Sequence, residues 1–304
     1  MDPGIYPAVI SYLKKEGEKM SEKNKLCVAM FDEIALKKRL IYSASSDIVE
    51  GYVDFGMEEG RTGEMADHAL VFMLQGLHKK FKQPIAHYFV KGTISTQKLV
   101  VKNVIKTVRD VGYTVVATVC DQGPTNVGAL NLLKRFCGNP ADSNYFIVNK
   151  EKVFIIFDVP HLFKSIRNDF LNGGTLVMAN KKAKWSHIIQ LEEKNRSTLH
   201  FTKITKLHVD PKFRARMKVK LAAQILSNTV AAILKLLSKI SNSREMLQSA
   251  EIIEDLDRLF DCTNGPSSRH DMKKKIRENV RENSFHHRLW IEYKEKLRSL
   301  HFLI

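Results

Sequence analysis

The sequence predicts a mixed α/β domain followed by a mostly α-helical domain. Short apolar runs rich in β-branched residues recur through the first half, and residues 115–119 form the clearest of them. Beyond residue 185 the apolar residues recur instead at helical spacing. Several consecutive strands come before the first strong helix, which favours a mixed sheet with helices packed on it over a purely parallel one.

The first half alternates between strand and helix patterns. Gly112 is expected to end a helix, and Gly123 and Pro124 to end the strand before them, with Asn126 as the cap of the next helix. Strands are predicted at 26–31, 69–77, 84–90, 115–119 and 153–157, a hairpin with arms at 37–42 and 48–55, and helices at 96–111, 127–136 and 161–171.

The second half is predicted to be helical at 185–194, 211–241 and 280–304. The apolar stripe from Met217 to Leu234 is interpreted as core packing. The chain has 304 residues, enough for one large or two modest domains. The predicted division is an N-terminal helix or linker at 1–24, the α/β domain at 25–160 and the helical domain at 161–304.

Composition points to a polyanionic partner. The net charge is +16 and the pI is about 9.6, which suits nucleic acid, although a merely soluble basic protein is the alternative. The cysteines form no CxxC pair, which argues against a disulfide scaffold or a zinc finger and suits a reducing compartment. We expect no membrane association, because no apolar run approaches spanning length and the start has no secretory pattern.

Acidic residues end several of the predicted strands. Asp32 follows the strand at 26–31, Asp121 follows 115–119 and Asp158 follows 153–157, while Asp54 lies in the second arm of the hairpin. Ligands of α/β sheets bind at the carboxyl ends of strands, so Asp121 is well placed to hold a metal. The alternative is an ordinary turn or N-cap aspartate.

Five short motifs occur in an order that resembles the P-element transposase family, including its THAP-domain-bearing vertebrate relatives. They are FDE at 31–33, GYVDFG at 51–56, ATVCDQG at 117–123, FDVPHLFKSIRN at 157–168 and MKVKLAAQ at 217–224. The resemblance implies an RNase H-like catalytic domain interrupted by a mostly α-helical GTP-binding insertion domain. It also implies DDE-type DNA strand transfer with Mg²⁺ or Mn²⁺, DNA (transposon ends) and GTP as partners, and a nuclear location, and it leaves a homo-oligomer open.

The resemblance implies particular metal ligands. Asp121 matches the second catalytic acid of the family. Asp54 best matches the first by its spacing of 67 residues, whereas Asp32 ends the more apolar strand, as a first central strand should. Both remain candidates, with Asp54 preferred. Carboxylates are the ligands that Mg²⁺ prefers.

Nucleotide contacts are implied in the helical domain. Asp261 and Asn264 resemble the Asp-x-x-Asn element of the family that reads guanine, and Lys203 resembles its nucleotide-contacting lysine, with Lys206 as the alternative. The sequence contains no P-loop motif. Without the family, Asp261 would be a helix-terminal aspartate in a turn before 265–266. Lys164 and Arg167, one turn apart, are predicted to contact DNA phosphates.

Two departures from the family bear on activity. Its third acid, a Glu, is expected beyond residue 304, and its N-terminal zinc-coordinating module has no counterpart here. These departures indicate a truncated or domesticated transposase fragment. Asp158 could replace the third acid, but Asp158 and His161 are more readily interpreted as anchors of the following helix. The alternative function is a catalytically inactive DNA-binding or protein-interaction repressor of a transposable element.

Overall fold

The computed structural model describes residues 2–45, 47–56, 60–92, 94–140, 142–199, 201–265 and 275–303. The chain divides into two compact units, Met1–Asp158 and Val159–Ile304. Each has its own hydrophobic core.

The first unit is built on a mixed sheet. Its strands are β1 (Gly4–Ile5), β2 (Leu26–Ala35), β3 (Ile41–Ser43), β4 (Ile48–Glu50), β5 (Tyr52–Asp54), β6 (Arg61–Met65), β7 (His68–Gly76), β8 (Lys82–Val90), β9 (Thr114–Cys120), β10 (Tyr145–Val148) and β11 (Glu151–Phe157). Its helices are α1 (Pro7–Glu18), α2 (Ile94–Asp110) and α3 (Pro124–Phe136).

Within the described residues, the main sheet has the order β10-β11-β9-β2-β7-β8-β5-β6, and β1 pairs with β8. The three central strands β11, β9 and β2 are parallel, and the others pair antiparallel. This confirms the predicted mixed sheet. One core contains Phe31 and Phe72 from the sheet together with Val101, Val104 and Val108 from α2.

The predicted hairpin is shorter than the sequence suggested. Strands β3 and β4 form a separate two-stranded sheet, and the rest of the second arm becomes β5 of the main sheet. Gly51 separates the two parts with a φ of +111°, and a side chain there would clash with the Arg39 carbonyl oxygen. Glycine is therefore required where the chain changes sheets.

The N-terminal residues are part of the first unit. β1 pairs with β8, and Leu13 of α1 is buried in the core of the unit. The apolar spacing of α1 therefore serves packing.

The second unit is mostly helical, as predicted. Its helices are α4 (Val159–Gly173), α5 (Trp185–Lys194), α6 (Lys206–Val209), α7 (Phe213–Arg216), α8 (Val219–Ile225), α9 (Asn228–Ile240), α10 (Arg244–Thr263) and α11 (His286–Arg298). A small sheet of β12 (Thr175–Met178), β13 (Lys181–Lys184) and β14 (His301–Leu303) was not predicted. The end of the predicted helix at 280–304 is in fact β14, which pairs with β12.

The apolar stripe of the second unit is largely core. Leu221, Ile225, Val230 and Leu234 are buried, which confirms the interpretation as packing, although Met217 is 58% exposed. By length and composition, Val219–Ile240 could cross a membrane. However, 56% of the apolar window in that stretch is buried inside the protein. Core packing accounts for its apolar character.

Candidate metal and nucleotide sites

Asp32 and Asp121 lie on neighbouring parallel strands. The pairing of β2 with β9 runs to Met30 opposite Val119, and the two acids come two residues later on each strand. Neighbouring strands are about 4.8 Å apart. Both side chains alternate away from Phe31 and Cys120, which lie in the core cluster. The register therefore places Asp32 and Asp121 at adjacent positions on one face of the sheet, where β9 ends.

A buried polar chain holds the carboxylate of Asp121. Its Oδ1 accepts hydrogen bonds from the Gly123 amide at 2.9 Å and from Nδ2 of Asn126 at 2.6 Å. Nε2 of Gln97 in turn donates to Oδ1 of Asn126, and both amides are 3% exposed. Helix α3 begins at Pro124 with Gly123 as its N-cap. The expectation that Asn126 caps this helix is therefore wrong, because its amide orients Asp121 instead.

The charges of Asp32 and Asp121 affect the pKa values of the titratable groups around them. Burial, and after it the charges of Asp121 and Asp32, raise the pKa of the Cys120 thiol to about 12. Glu33, which the sequence reasoning missed as a site residue, has a raised pKa, first because it is partly buried. His68 opposes that shift, whereas the charges of Asp121, Asp32 and Asp67 add to it. Only the FDE triplet could have drawn attention to Glu33.

Asp54 is placed elsewhere, which corrects the preference based on spacing. It lies on β5, and β8, β7 and β2 separate that strand from β9, a distance of about 19 Å at the usual strand spacing. Its Oδ1 accepts a hydrogen bond from the Gly56 amide and its Oδ2 one from Nε of Arg61, each at 2.9 Å. Asp54 therefore holds the β5–β6 connection together and does not meet Asp121.

Asp158 lies on the other side of Asp121. Phe157 pairs with Cys120, and the Asp158 amide donates to the Cys120 carbonyl at 2.8 Å. Asp121 and Asp158 thus directly follow β9 and β11, and Asp32 lies level with them within the neighbouring strand β2. Even so, within the ranges that the structure describes, no group of three or more His, Cys, Asp or Glu side chains is arranged to hold a metal. The carboxylates of Asp32 and Asp121 are the right donors for Mg²⁺ or Mn²⁺, but they supply only part of a ligand set.

Asp261 of α10 is buried and ion-paired. Its Oδ1 accepts hydrogen bonds from Nε of Arg277, at 2.9 Å, and from Nη2 of the same guanidinium. Asn264 is the C-cap of the helix, and its amide donates to the Phe260 carbonyl at 3.1 Å. The turn predicted at 265–266 includes Pro266, which lies outside the described residues. The carboxylate predicted to read guanine therefore already accepts from a guanidinium.

The two candidate nucleotide lysines are both exposed. Lys203 precedes α6, and Lys206 is its first residue. Among the described residues neither makes an ion pair. Exposure leaves both available to a triphosphate and does not choose between them.

The prediction that Arg167 contacts DNA phosphates directly is wrong. Arg167 is fully buried on α4, and burial lowers its pKa, with the nearby charge of Arg216 lowering it further. Its Nη2 donates to the Arg216 carbonyl at 3.0 Å. Lys164, one turn earlier, is partly exposed. The helical spacing predicted a shared face, but that face is turned into the protein at Arg167.

Comparisons with known proteins agree with this architecture. Residues 1–134 match the family model described as TNP-like, RNase H N-terminal domain, and residues 160–276 match TNP-like, GTP-binding insertion domain. The P element transposase of the Drosophila strand transfer complex has a similar fold, with a TM-score of 0.80 and 24% identity over 98% of this chain and 64% of that chain.

Two curated relatives are similar in sequence. The Transposable element P transposase of Drosophila melanogaster is 28% identical over 272 residues, which are 87% of this chain and 33% of that protein. DNA transposase THAP9 of Homo sapiens is 24% identical over 283 residues, 86% of this chain and 30% of that protein. This chain therefore spans about a third of the length of these relatives.

The strand order and the matched domains define an RNase H-like domain followed by a GTP-binding insertion domain. The chain belongs to the P-element transposase family.

Proposed function

We propose that this chain supplies Asp32 and Asp121 as two metal ligands of a DNA strand-transfer site. The observation that carries the proposal is their register: each lies two residues beyond Met30 and Val119, the last pair between the neighbouring parallel strands β2 and β9. A divalent cation bound there would activate a water or a 3′-hydroxyl for attack on a phosphodiester. The contribution of this chain is to hold both carboxylates in place, through the sheet and through Asn126.

The chain by itself is proposed to bind DNA without cutting or joining it. Two metals need more oxygen ligands than two carboxylates supply, and the described residues offer no three-acid group. The net charge of +16 supports non-specific contacts with phosphates. Each neutralised phosphate adds about −0.9 to the slope of log affinity against log salt on duplex DNA. A nuclear location is proposed with this function, because genomic DNA would be the substrate.

The second unit is proposed to bind GTP, with Asp261 and Asn264 at the base and Lys203 or Lys206 at the phosphates. The match of residues 160–276 to a GTP-binding insertion domain supports this. A buried carboxylate is the acceptor that guanine N1–H and N2–H require. The nucleotide would have to compete with Arg277 for that carboxylate.

The test is nicking of supercoiled duplex DNA by the purified chain in Mg²⁺ or Mn²⁺, with Asp121→Ala alongside. We expect DNA binding without nicking. Nicking that is lost in Asp121→Ala and retained in Asp54→Asn would show that the chain holds a complete site. Asp158 would then be the leading third ligand, because its backbone pairs beside Asp121.

The second candidate is a non-catalytic repressor of a transposable element. The lack of a three-acid group among the described residues favours it. A repressor would inhibit strand transfer by an active transposase, and the double substitution Asp32→Asn/Asp121→Asn would leave that inhibition unchanged. If the chain instead contributes its acids to an assembled strand-transfer site, its effect on strand transfer would be lost in the same variant.

A further inference from the structure

The segment 212–220, from here the basic segment, is strongly positive. It contains five cationic residues and no acid: Lys212, Arg214, Arg216, Lys218 and Lys220. Arg216 is partly exposed and the other four are exposed. In the part of the chain that the structure describes, none of the five is ion-paired with a carboxylate. The positive charge of the basic segment is therefore available to an anionic partner.

An aromatic side chain projects from the same segment. Phe213 is 83% exposed, more than any other large apolar side chain among the described residues. Met217, one turn later, is 58% exposed. No described ring or cation contacts the Phe213 ring. An exposed aromatic ring flanked by cations is typical of surfaces in which the ring stacks on bases and the cations contact phosphates.

Residues of α4, among them the buried Arg167, hold the basic segment in place. The Arg216 carbonyl accepts hydrogen bonds from Nη2 of Arg167 at 3.0 Å and from Nδ2 of Asn168 at 3.4 Å. The Arg216 side chain donates from Nη1 to Oδ1 of Asn172 at 3.1 Å and from Nε to the Pro211 carbonyl at 3.3 Å. Arg167 is thus a positioning residue. The segment is fixed to α4 and does not have to order on binding, which lowers the entropic cost.

We propose that the basic segment binds single-stranded DNA. Phe213 stacks on an unpaired base, and Lys212, Arg214, Lys218 and Lys220 contact the phosphates around it. A duplex covers its base faces by internal stacking, so it could use the charges but not the ring. The proposal concerns a surface remote in sequence from Asp32 and Asp121, and it holds whether or not the chain binds metal or GTP.

The first experiment measures binding of a fluorescent oligo-dT and of a matched duplex by anisotropy, in EDTA and without nucleotide. Phe213→Ala should weaken oligo-dT binding about tenfold and leave duplex binding unchanged. The control is Phe136→Ala. Phe136 is 74% exposed, but Lys98 and Lys102 lie over its ring, so its loss should change neither affinity. Equal effects of Phe213→Ala on the two DNA forms, or no effect, would overturn the proposal.

The second experiment tests the charges. Lys218→Gln/Lys220→Gln should reduce the salt slope of oligo-dT binding by about 0.7 for each lost phosphate contact. Lys14→Gln/Lys15→Gln removes two exposed lysines of α1 and should leave the slope unchanged. An equal drop in the salt slope of both variants would show that the basic segment contributes only general surface charge. Tighter binding of oligo-U than of oligo-dT would overturn the assignment to DNA.

Discussion

Asp32 and Asp121 each follow by two residues the last paired positions of neighbouring parallel strands, Met30 on β2 and Val119 on β9. Like charges at this separation repel each other in the absence of a cation. Both charges also act on the buried Cys120, whose pKa they raise in addition to the larger effect of burial. The fold therefore maintains an arrangement that a divalent cation would stabilise.

The first prediction is that Mg²⁺ or Mn²⁺ raises the melting temperature through these two acids. A ligand at a hundred times its Kd stabilises the folded state by about 2.7 kcal/mol. Asp32→Asn and Asp121→Asn should each remove most of the cation response, as measured by thermal shift against a Ca²⁺-free, EDTA-treated baseline.

Asp54→Asn is the matched control for that prediction. It breaks the contact of Asp54 with Arg61 and should lower the baseline melting temperature, but it should keep the full response to the cation. A response lost in Asp54→Asn and kept in Asp32→Asn would reverse the choice of first acid.

The second prediction concerns the polar chain behind Asp121. Asn126→Ala removes the donor to Asp121 and the acceptor of Gln97, and so leaves a buried amide unpaired. The loss of a partner for a buried polar group costs about 1–3 kcal/mol of the free energy of unfolding. Cation affinity should fall as well, because the carboxylate of Asp121 is no longer oriented. Asn131→Ala, on the same helix and without a side-chain hydrogen bond among the described residues, should change neither quantity.

The third prediction follows from the raised pKa of Glu33. Partial burial is the largest cause, opposed by His68 and reinforced by Asp121, Asp32 and Asp67. Because the folded state binds this proton more tightly than the unfolded state does, stability falls as pH rises from the ordinary pKa of 4.5 through the folded one. In urea titrations across that window, Glu33→Gln should become steadily more stable relative to the unsubstituted protein. A difference that does not vary with pH would contradict this.

The sequence predicted the central strands well because their apolar runs are long and bounded by glycine, proline or acid. It could not choose between Asp32 and Asp54, because strand order is a tertiary property and spacing along the chain does not reveal it. Arg167 is a second case in which spacing along the chain does not reveal a tertiary contact. Its helical spacing from Lys164 was correct, but which face of α4 is buried depends on Arg216, 49 residues away. The small sheet of β12, β13 and β14 was missed because each strand is too short to show a period.

The last prediction concerns Arg277 and nucleotide. The guanidinium of Arg277 presents to Asp261 the same kind of paired N–H donors that guanine presents with N1–H and N2–H. The two must compete for one buried carboxylate, so Arg277→Gln should tighten GTP binding. The gain is about tenfold if the ion pair occupies the carboxylate nine-tenths of the time in the absence of ligand. Asp261→Ala should abolish the preference for GTP over ATP, and isothermal titration calorimetry measures both effects.

Lys275→Gln is the control for that competition. Lys275 lies in the same short turn as Arg277 but makes no ion pair with Asp261, so its loss should leave GTP affinity unchanged within about twofold. Weaker GTP binding by Arg277→Gln would instead make Arg277 a nucleotide ligand. Equal affinities for ATP and GTP in the unsubstituted protein would remove Asp261 as the reader of the base, since its carboxylate cannot accept from the adenine edge in that way.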